Sequence, residues 1–224
     1  MNTKLLYPLL YSLAAAFPMV AAQADTIAFY EFENVYTSSD TEVNSIASAV
    51  TGGAGLNPST PVFSSTSFAG SKSLAAQNLT EDTEAFAVSV GDYIEFTISA
   101  NSGFEIDYTD LTVALQRSNS PGSATDVFLR TSLDGYTSTV GTASPTTSFA
   151  EYTISLSSIE FQNVSSDITF RLYAFGGDTA TSSLRHDNLT VLGTVTAIPE
   201  PATTGLLMTA GVVAFAGFRR KRKA

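Results

Sequence analysis

The sequence predicts an all-β fold, an antiparallel β-sandwich placed between two apolar end segments. Short runs of the middle region alternate between apolar and polar side chains, and joints rich in Ser, Thr and Gly separate these runs. A strand with one buried face places every second side chain in the core. Many short strands with such joints favour a sandwich, and no part of the middle region has convincing helical periodicity.

The middle of the chain is strongly acidic. Between Asp25 and Ala197 lie 20 acidic and five basic residues, a formal net charge of −15. This charge repels a phosphate backbone, so nucleic acid is excluded as a partner. The chain of 224 residues contains no cysteine, which excludes disulfides, thiol nucleophiles and thiolate metal sites. About 170 residues remain between the ends, enough for one domain with a core of its own.

The N-terminus has the pattern of a secretory signal peptide, residues 1–24. Lys4 precedes an apolar run, and the run ends in Ala22, Gln23 and Ala24, with small residues at the two positions that signal peptidase reads. We therefore predict cleavage between Ala24 and Asp25 and export of everything that follows.

The domain, residues 25–197, opens on a strand and continues into an irregular excursion at 33–84. Breakers such as Gly52 and Gly53 mark this excursion, which is either a long path with a few short strands or a surface loop. Between two later runs, Asp134 and Gly135 predict a two-residue hairpin turn. The alternating runs that predict strands are 94–98, 104–108, 111–115, 127–129, 152–156, 168–172 and 189–191.

The C-terminal segment, residues 198–224, combines three features in a fixed order. Pro199, Glu200 and Pro201 come first, and an uncharged apolar stretch at 202–218 follows, near the lower length limit for a transmembrane helix. The basic end then holds the stretch on the cytoplasmic side of the inner membrane. This basic end consists of Arg219, Arg220, Lys221, Arg222 and Lys223. An ordinary single-span anchor explains the span and the bases but not the motif that precedes them.

With these three features in this order, the tail resembles the PEP-CTERM sorting signal of Gram-negative bacteria. The resemblance implies recognition of Pro199, Glu200 and Pro201 by an exosortase, a membrane-embedded protease that acts near the motif. The protein is then expected at the cell surface or outside the cell.

Parts of the domain resemble cargo domains that precede such tails. The resemblance rests on the segments AFYEFEN at 28–34, QRSNSPGSATDVFLRTSLDG at 116–135, FRLYAFGG at 170–177 and DNLTV at 187–191. It implies a jelly-roll sandwich like those of carbohydrate-binding modules. It implies no single activity.

We predict no catalytic residue. The only histidine, His186, is adjacent to Asp187, so in a strand the two side chains point to opposite faces. Chance pairs of carboxylates are plentiful in so acidic a domain, which leaves a glycan-active hydrolase as a weak alternative.

A structural calcium ion is a further hypothesis. In jelly-roll carbohydrate modules such an ion often joins the first and last strands, and Glu31, Glu33 and Asp187 are the carboxylates that fit this arrangement. The alternative is that they are ordinary polar residues at a sheet edge.

Two functions stay open for the domain. The leading interpretation is a non-enzymatic surface or matrix protein associated with extracellular polysaccharide, and the alternative is a true carbohydrate-binding module. Sugar binding needs aromatic rings with polar groups beside them, and tryptophan is absent. The candidate rings are Tyr30, Tyr93, Tyr108, Tyr136, Tyr152 and Tyr173.

Overall fold

Twelve strands and one α-helix form the part of the protein that the computed structural model describes, residues 24–120 and 122–199. The strands are β1 Asp25–Tyr30, β2 Ser45–Ala47, β3 Thr51–Gly52, β4 Val62–Ser64, β5 Ser73–Gln77, β6 Tyr93–Ala100, β7 Phe104–Arg117, β8 Asp126–Thr131, β9 Gly141–Ala143, β10 Ala150–Ser155, β11 Ile168–Phe175 and β12 Ser183–Ala197. The helix α1 is Glu84–Val90, and two single-turn 3₁₀ helices occupy Ser132–Asp134 and Ile159–Phe161.

The strands form two antiparallel sheets that pack face to face, which confirms the predicted sandwich. The first sheet has the order β10-β7-β12-β5-β4, and β1 also pairs with β12. The second has the order β2-β6-β11-β8-β9, and β3 also pairs with β6. The predicted excursion at 33–84 contains four short strands: β4 and β5 join the first sheet, and β2 and β3 join the second.

The core between the sheets is rich in aromatic rings. Phe96 and Phe170 stack with centroids 5.3 Å apart, and Tyr108 meets Phe170 edge-on at 5.7 Å. Tyr30 packs on Phe96 at 5.2 Å, and each of these side chains is almost fully buried. Because each buried ring removes a large apolar area from water, these contacts hold the sheets together without disulfides.

Two local features differ from the sequence prediction. The helix α1 was not predicted; Thr83 caps it by accepting a hydrogen bond from the backbone N–H of Phe86 at 3.4 Å. The prediction of a two-residue hairpin turn at Asp134 and Gly135 is wrong, because the connection between β8 and β9 covers residues 132–140. There the positive φ angles belong to Gly135 (69°) and Tyr136 (63°), while Asp134 ends a 3₁₀ helix.

Both ends of the domain leave the sandwich on the same side. β1 and β12 are antiparallel neighbours, with Asp25 opposite Gly193, so the start of β1 lies beside the end of β12. β12 continues four residues further, and Ala197 pairs with Phe104 of β7. We call this side of the sandwich the tail end.

The predicted signal peptide up to Gln23 and the sorting tail from Glu200 onward lie outside the described residues, including the span at 202–218 and the basic end. Among the described residues, no helix has both the length and the apolar character needed to cross a membrane.

Candidate functional site

The sorting motif begins immediately after the last strand. β12 ends at Ala197, and the backbone N–H of Ile198 still donates to the carbonyl of Gly103 at 2.8 Å. Pro199, the first residue of the motif, has no N–H to continue the ladder, so pairing ends there. The folded domain and the motif are therefore joined without a linker.

A second candidate site is a cation–aromatic stack on the outer face of the second sheet. The guanidinium of Arg171 in β11 lies 4.3 Å from the ring centroid of Tyr93 in β6 and 3.8 Å from that of Tyr136. Its Nε donates to Glu95 Oε2 at 2.8 Å, across the strand pair in which these two residues face each other. The side chains of Arg171 and Glu95 are 24% and 29% exposed, so both can contact a ligand. We call Tyr93, Glu95, Tyr136 and Arg171 the Arg171 surface.

The helix α1 covers the adjoining part of the same face. Ala87 packs against Phe128 and Tyr173, whose rings stack at 4.9 Å. Arg130 reaches Glu84 at the start of the helix, at 3.4 Å. The helix thus buries the aromatic residues on one side of the Arg171 surface and leaves Tyr93 and Tyr136 partly exposed.

The three carboxylates of the calcium hypothesis lie near one another but have different partners. Asp187 is fully buried, and its Oδ2 accepts the backbone N–H groups of Phe68 (2.7 Å) and Ala69 (3.1 Å). Glu33 Oε1 accepts the N–H of Ser71 at 2.6 Å. Hydrogen bonds from the Ser71 hydroxyl and from backbone N–H groups of the same loop lower the pKa of Glu33. Burial raises the pKa of Asp187, and the hydrogen bonds that it accepts from backbone N–H groups offset only part of this rise.

Glu33 and Asp187 therefore fasten the loop at 68–72 onto the first sheet. Beside them is a pocket of about 130 Å³. Its lining residues are Phe29, Glu31, Glu33, Ala69, Gly70 and Asn188. Within 24–120 and 122–199, no three side chains of the His, Cys, Asp and Glu types are grouped so as to hold a metal ion. The calcium hypothesis stays a prediction.

His186 lies in the core, 1% exposed, opposite Leu74 and Leu115 in the neighbouring strands. Neither ring nitrogen has a hydrogen bond, and burial lowers the pKa of His186 to about 4. Asp187, the next residue, instead binds the loop described above. The two side chains therefore have separate environments.

The candidate tyrosines divide between core and surface. Tyr30 and Tyr108 are fully buried, and Tyr173 lies under α1. Tyr152 is partly exposed on the first sheet and donates its hydroxyl to the carbonyl of Ser144 at 3.0 Å. Only Tyr93 and Tyr136 combine partly exposed rings with a neighbouring polar cluster. The sequence analysis did not select Arg171 or Glu95, which complete that cluster.

A buried carboxylate was also missed. Asp92, between α1 and β6, is 1% exposed, and neither of its oxygens has a hydrogen-bond partner. Burial raises its pKa to about 7, and the charge of Glu81 adds to the rise. Gly55 leaves room for this carboxylate, because a Cβ atom at that position would overlap Asp92 Oδ1.

Comparison with solved structures finds β-sandwich carbohydrate-binding modules and some hydrolase chains. The CBM22-1 xylan-binding domain of Paenibacillus barcinonensis Xyn10C is 12% identical, with 81% of this chain and 100% of that chain covered and a TM-score of 0.44. The C-terminal family 22 module of Clostridium thermocellum Xyn10B is 13% identical, with 74% and 92% covered and a TM-score of 0.42. An arabinose-bound MgGH51 α-L-arabinofuranosidase is 11% identical, with 75% and 27% covered and a TM-score of 0.42. At these levels no ligand or activity is transferred to the chain.

No relative is found among curated protein sequences. Residues 197–222 match the PEP-CTERM protein-sorting motif, which begins at the last residue of β12. The match agrees with the order of Pro199, Glu200 and Pro201, the apolar stretch and the basic end. The chain thus carries a PEP-CTERM sorting motif behind a β-sandwich domain, which marks it as an exported protein sorted by an exosortase.

Proposed function

We propose that the protein is a non-enzymatic component of the cell surface or extracellular matrix whose sandwich binds polysaccharide through the Arg171 surface. The observation that carries this proposal is the stack of Arg171 between Tyr93 and Tyr136. Arg171 covers one face of each ring, so the exposed remainder of the two rings offers the apolar contact to a sugar ring. The guanidinium and the Glu95 carboxylate offer donors and acceptors to its hydroxyl groups.

The stack is also rigid enough for recognition. Each cation–π contact contributes about 0.5–2 kcal/mol to the position of the guanidinium, and Glu95 fixes it from a third direction. A surface ordered in advance loses less entropy when a ligand binds. Because the side chains of the Arg171 surface are already held in place, even weak contacts with a glycan can give net binding.

The charge of the domain favours a neutral glycan over an acidic one. The net charge of −15 between Asp25 and Ala197 repels a polyanion, and the single cation of this surface is already paired with Glu95. We therefore expect binding to neutral polysaccharides.

Affinity electrophoresis of the mature domain through gels that contain neutral polysaccharides tests the proposal. We expect retardation in at least one glycan, and about tenfold weaker binding after Tyr136→Ala, which corresponds to about 1.4 kcal/mol; tyrosine is among the residues enriched at the positions that contribute most to binding. Tyr152→Ala is the matched control because Tyr152 is a partly exposed tyrosine on the other sheet. Equal weakening by both substitutions, or no saturable binding to any glycan, contradicts the proposal.

The calcium hypothesis has its own test in the same protein. If an ion joins Glu31, Glu33 and Asp187, millimolar calcium raises the melting temperature, and Glu31→Gln removes that increase. Glu31 is the informative position because, among the described residues, its carboxylate accepts only one hydrogen bond, a long one from Ser39 Oγ at 3.3 Å. An identical melting temperature with calcium and with chelator rejects the ion.

A further inference from the structure

Exposed aliphatic side chains gather at the tail end of the sandwich. The three most exposed large hydrophobic residues of the described chain are Ile159 (83%), Val43 (77%) and Ile46 (62%). Val43 lies beside the turn that precedes β7, since its carbonyl accepts the Asn101 side-chain amide at 2.9 Å. Ile46 pairs with Ser99, close to the end of β6. Val43 and Ile46 therefore lie at the same end of the sandwich as Ile198, whose N–H donates to Gly103 in the turn between β6 and β7.

Ile159 belongs to the segment that closes the tail end of the sandwich. In the same 3₁₀ turn, Phe161 is buried and packs into the core. Asn163 then donates its backbone N–H to Asp107 Oδ1 at 2.6 Å, near the start of β7. Phe161 thus seals the core while Ile159, two residues earlier, faces solvent.

The length of the chain places this end against a membrane. Only four residues, 198–201, separate Ala197 from the apolar stretch at 202–218. Fully extended, they span about 14 Å, and the headgroup layer on one side of a bilayer occupies roughly half of that distance. While the tail is inserted, the tail end of the sandwich therefore touches or nearly touches the lipid surface.

Charge limits how strongly this end can hold lipid. The strand pairings place the five basic residues of the described domain away from the tail end: Lys72, Arg117, Arg130, Arg171 and Arg185. The acidic residues close to it are Asp25, Glu42, Glu105, Asp107, Glu160 and Asp167. Anionic lipids therefore repel this end, and three aliphatic side chains alone give only marginal, reversible attachment.

We propose that the tail end of the domain rests on the bilayer until the sorting tail is cut, with Ile159, Val43 and Ile46 inserted among the lipid headgroups. The inference rests on the proposed sorting at the membrane. The inserted tail keeps the local concentration of the domain at the lipid surface high, so weak apolar contacts suffice. After cleavage that advantage is lost, and the acidic end favours release.

Tryptophan fluorescence tests the contact directly, because the chain has no tryptophan of its own. The mature chain, residues 25–224 with Ile159→Trp, is reconstituted into phosphatidylcholine vesicles that carry brominated acyl chains, so that the sorting tail and not the signal peptide attaches it. Phe86→Trp is the matched control: Phe86 is 56% exposed on α1, which precedes the start of β6 at the other end of the sandwich. We expect blue-shifted and quenched emission for Ile159→Trp and unshifted, unquenched emission for Phe86→Trp.

The outcomes separate this inference from the sorting proposal. Vesicle flotation with equal emission of both variants overturns the lipid contact and leaves sorting intact. Failure of the chain to float with vesicles overturns both. Emission of Ile159→Trp that brominated lipid leaves unquenched and that shifts only after an exosortase is added overturns the lipid contact in favour of docking on the protease. If circular dichroism shows that Ile159→Trp does not fold, Val43→Trp takes its place. Its emission and quenching are then compared with those of Phe86→Trp in the same way.

Discussion

Replacement of Asp92 by asparagine removes a carboxylate that is buried without any hydrogen-bond partner among the described residues. Burial and the charge of Glu81 raise the pKa of Asp92 to about 7. The folded state therefore keeps a proton on Asp92 at pH values at which the unfolded chain has lost it. The stability that this proton contributes is fully present near pH 4, declines as the pH rises, and is gone above about pH 7.

The size of the effect follows from the difference between the two pKa values. For a rise from 3.8 to about 7, the free energy of unfolding of the wild type falls by about 4 kcal/mol at most, and by about half of that if the site admits water on ionisation. Asp92→Asn cannot ionise and escapes this loss. In a domain of this size, 2–4 kcal/mol corresponds to roughly 4–15 °C in melting temperature.

Thermal unfolding of the wild type and Asp92→Asn, followed by circular dichroism from pH 2 to pH 8.5, measures this difference. Asp134→Asn is the opposite control. Slight burial of Asp134 is outweighed by hydrogen bonds from Ser138 and Thr137, which lower its pKa to about 2. We expect the melting temperature of Asp92→Asn to rise relative to that of the wild type as the pH increases. Asp134→Asn should instead be less stable than the wild type at neutral pH, with the deficit disappearing as the pH falls toward 2.

A constant difference between the wild type and Asp92→Asn across this pH range refutes the reasoning. A deficit of Asp92→Asn that grows with pH refutes it more strongly, because the ionised carboxylate then stabilises the fold through a cation or donor.

Two further predictions concern the loop contact and the start of the mature chain. Asp187→Ala leaves three backbone N–H groups without their acceptor and should lower the free energy of unfolding by about 2–4 kcal/mol in urea; the exposed Glu151→Ala on the same sheet should change it little. A similar loss for both contradicts the assigned role of Asp187. The mature protein should begin at Asp25, which N-terminal sequencing from the native host determines; a mature chain that begins at the initiator methionine removes the export argument.

Long strands such as β6 were predictable because one face is buried, whereas the short strands β2 to β5 and β9 show no such alternation and were not predicted one by one. In β6, Ile94, Phe96 and Ile98 are buried and the residues between them are partly exposed, so the sequence carries the alternation directly. The helix α1 was not predictable in this way, since its seven residues include only one buried residue, Ala87. Its position depends on the Thr83 cap and on Phe128 of β8 and Tyr173 of β11, which lie beneath it.

The sites were less predictable because they depend on strand register. Arg171 meets Tyr93 and Tyr136 only through the pairing of β11 with β6 and the loop after β8, and no spacing in the sequence indicates this. Asp92 has the sequence context of an ordinary surface aspartate, and only the fold buries it. The sorting motif was predictable because it is read as a linear sequence, independent of tertiary contacts.

The most direct test of the account is the role of Pro199, Glu200 and Pro201 in the native host. Intact mass and membrane fractionation are compared for the wild type, for the triple substitution of these residues by alanine, and for a control with alanine at Thr203 and Thr204 of the adjoining apolar stretch. A sorting signal predicts a shorter wild-type protein outside the inner membrane, a longer membrane-bound triple variant, and a control that behaves like the wild type. One common mass and one common fraction for the wild type and the triple variant contradict the account and leave a simple membrane anchor.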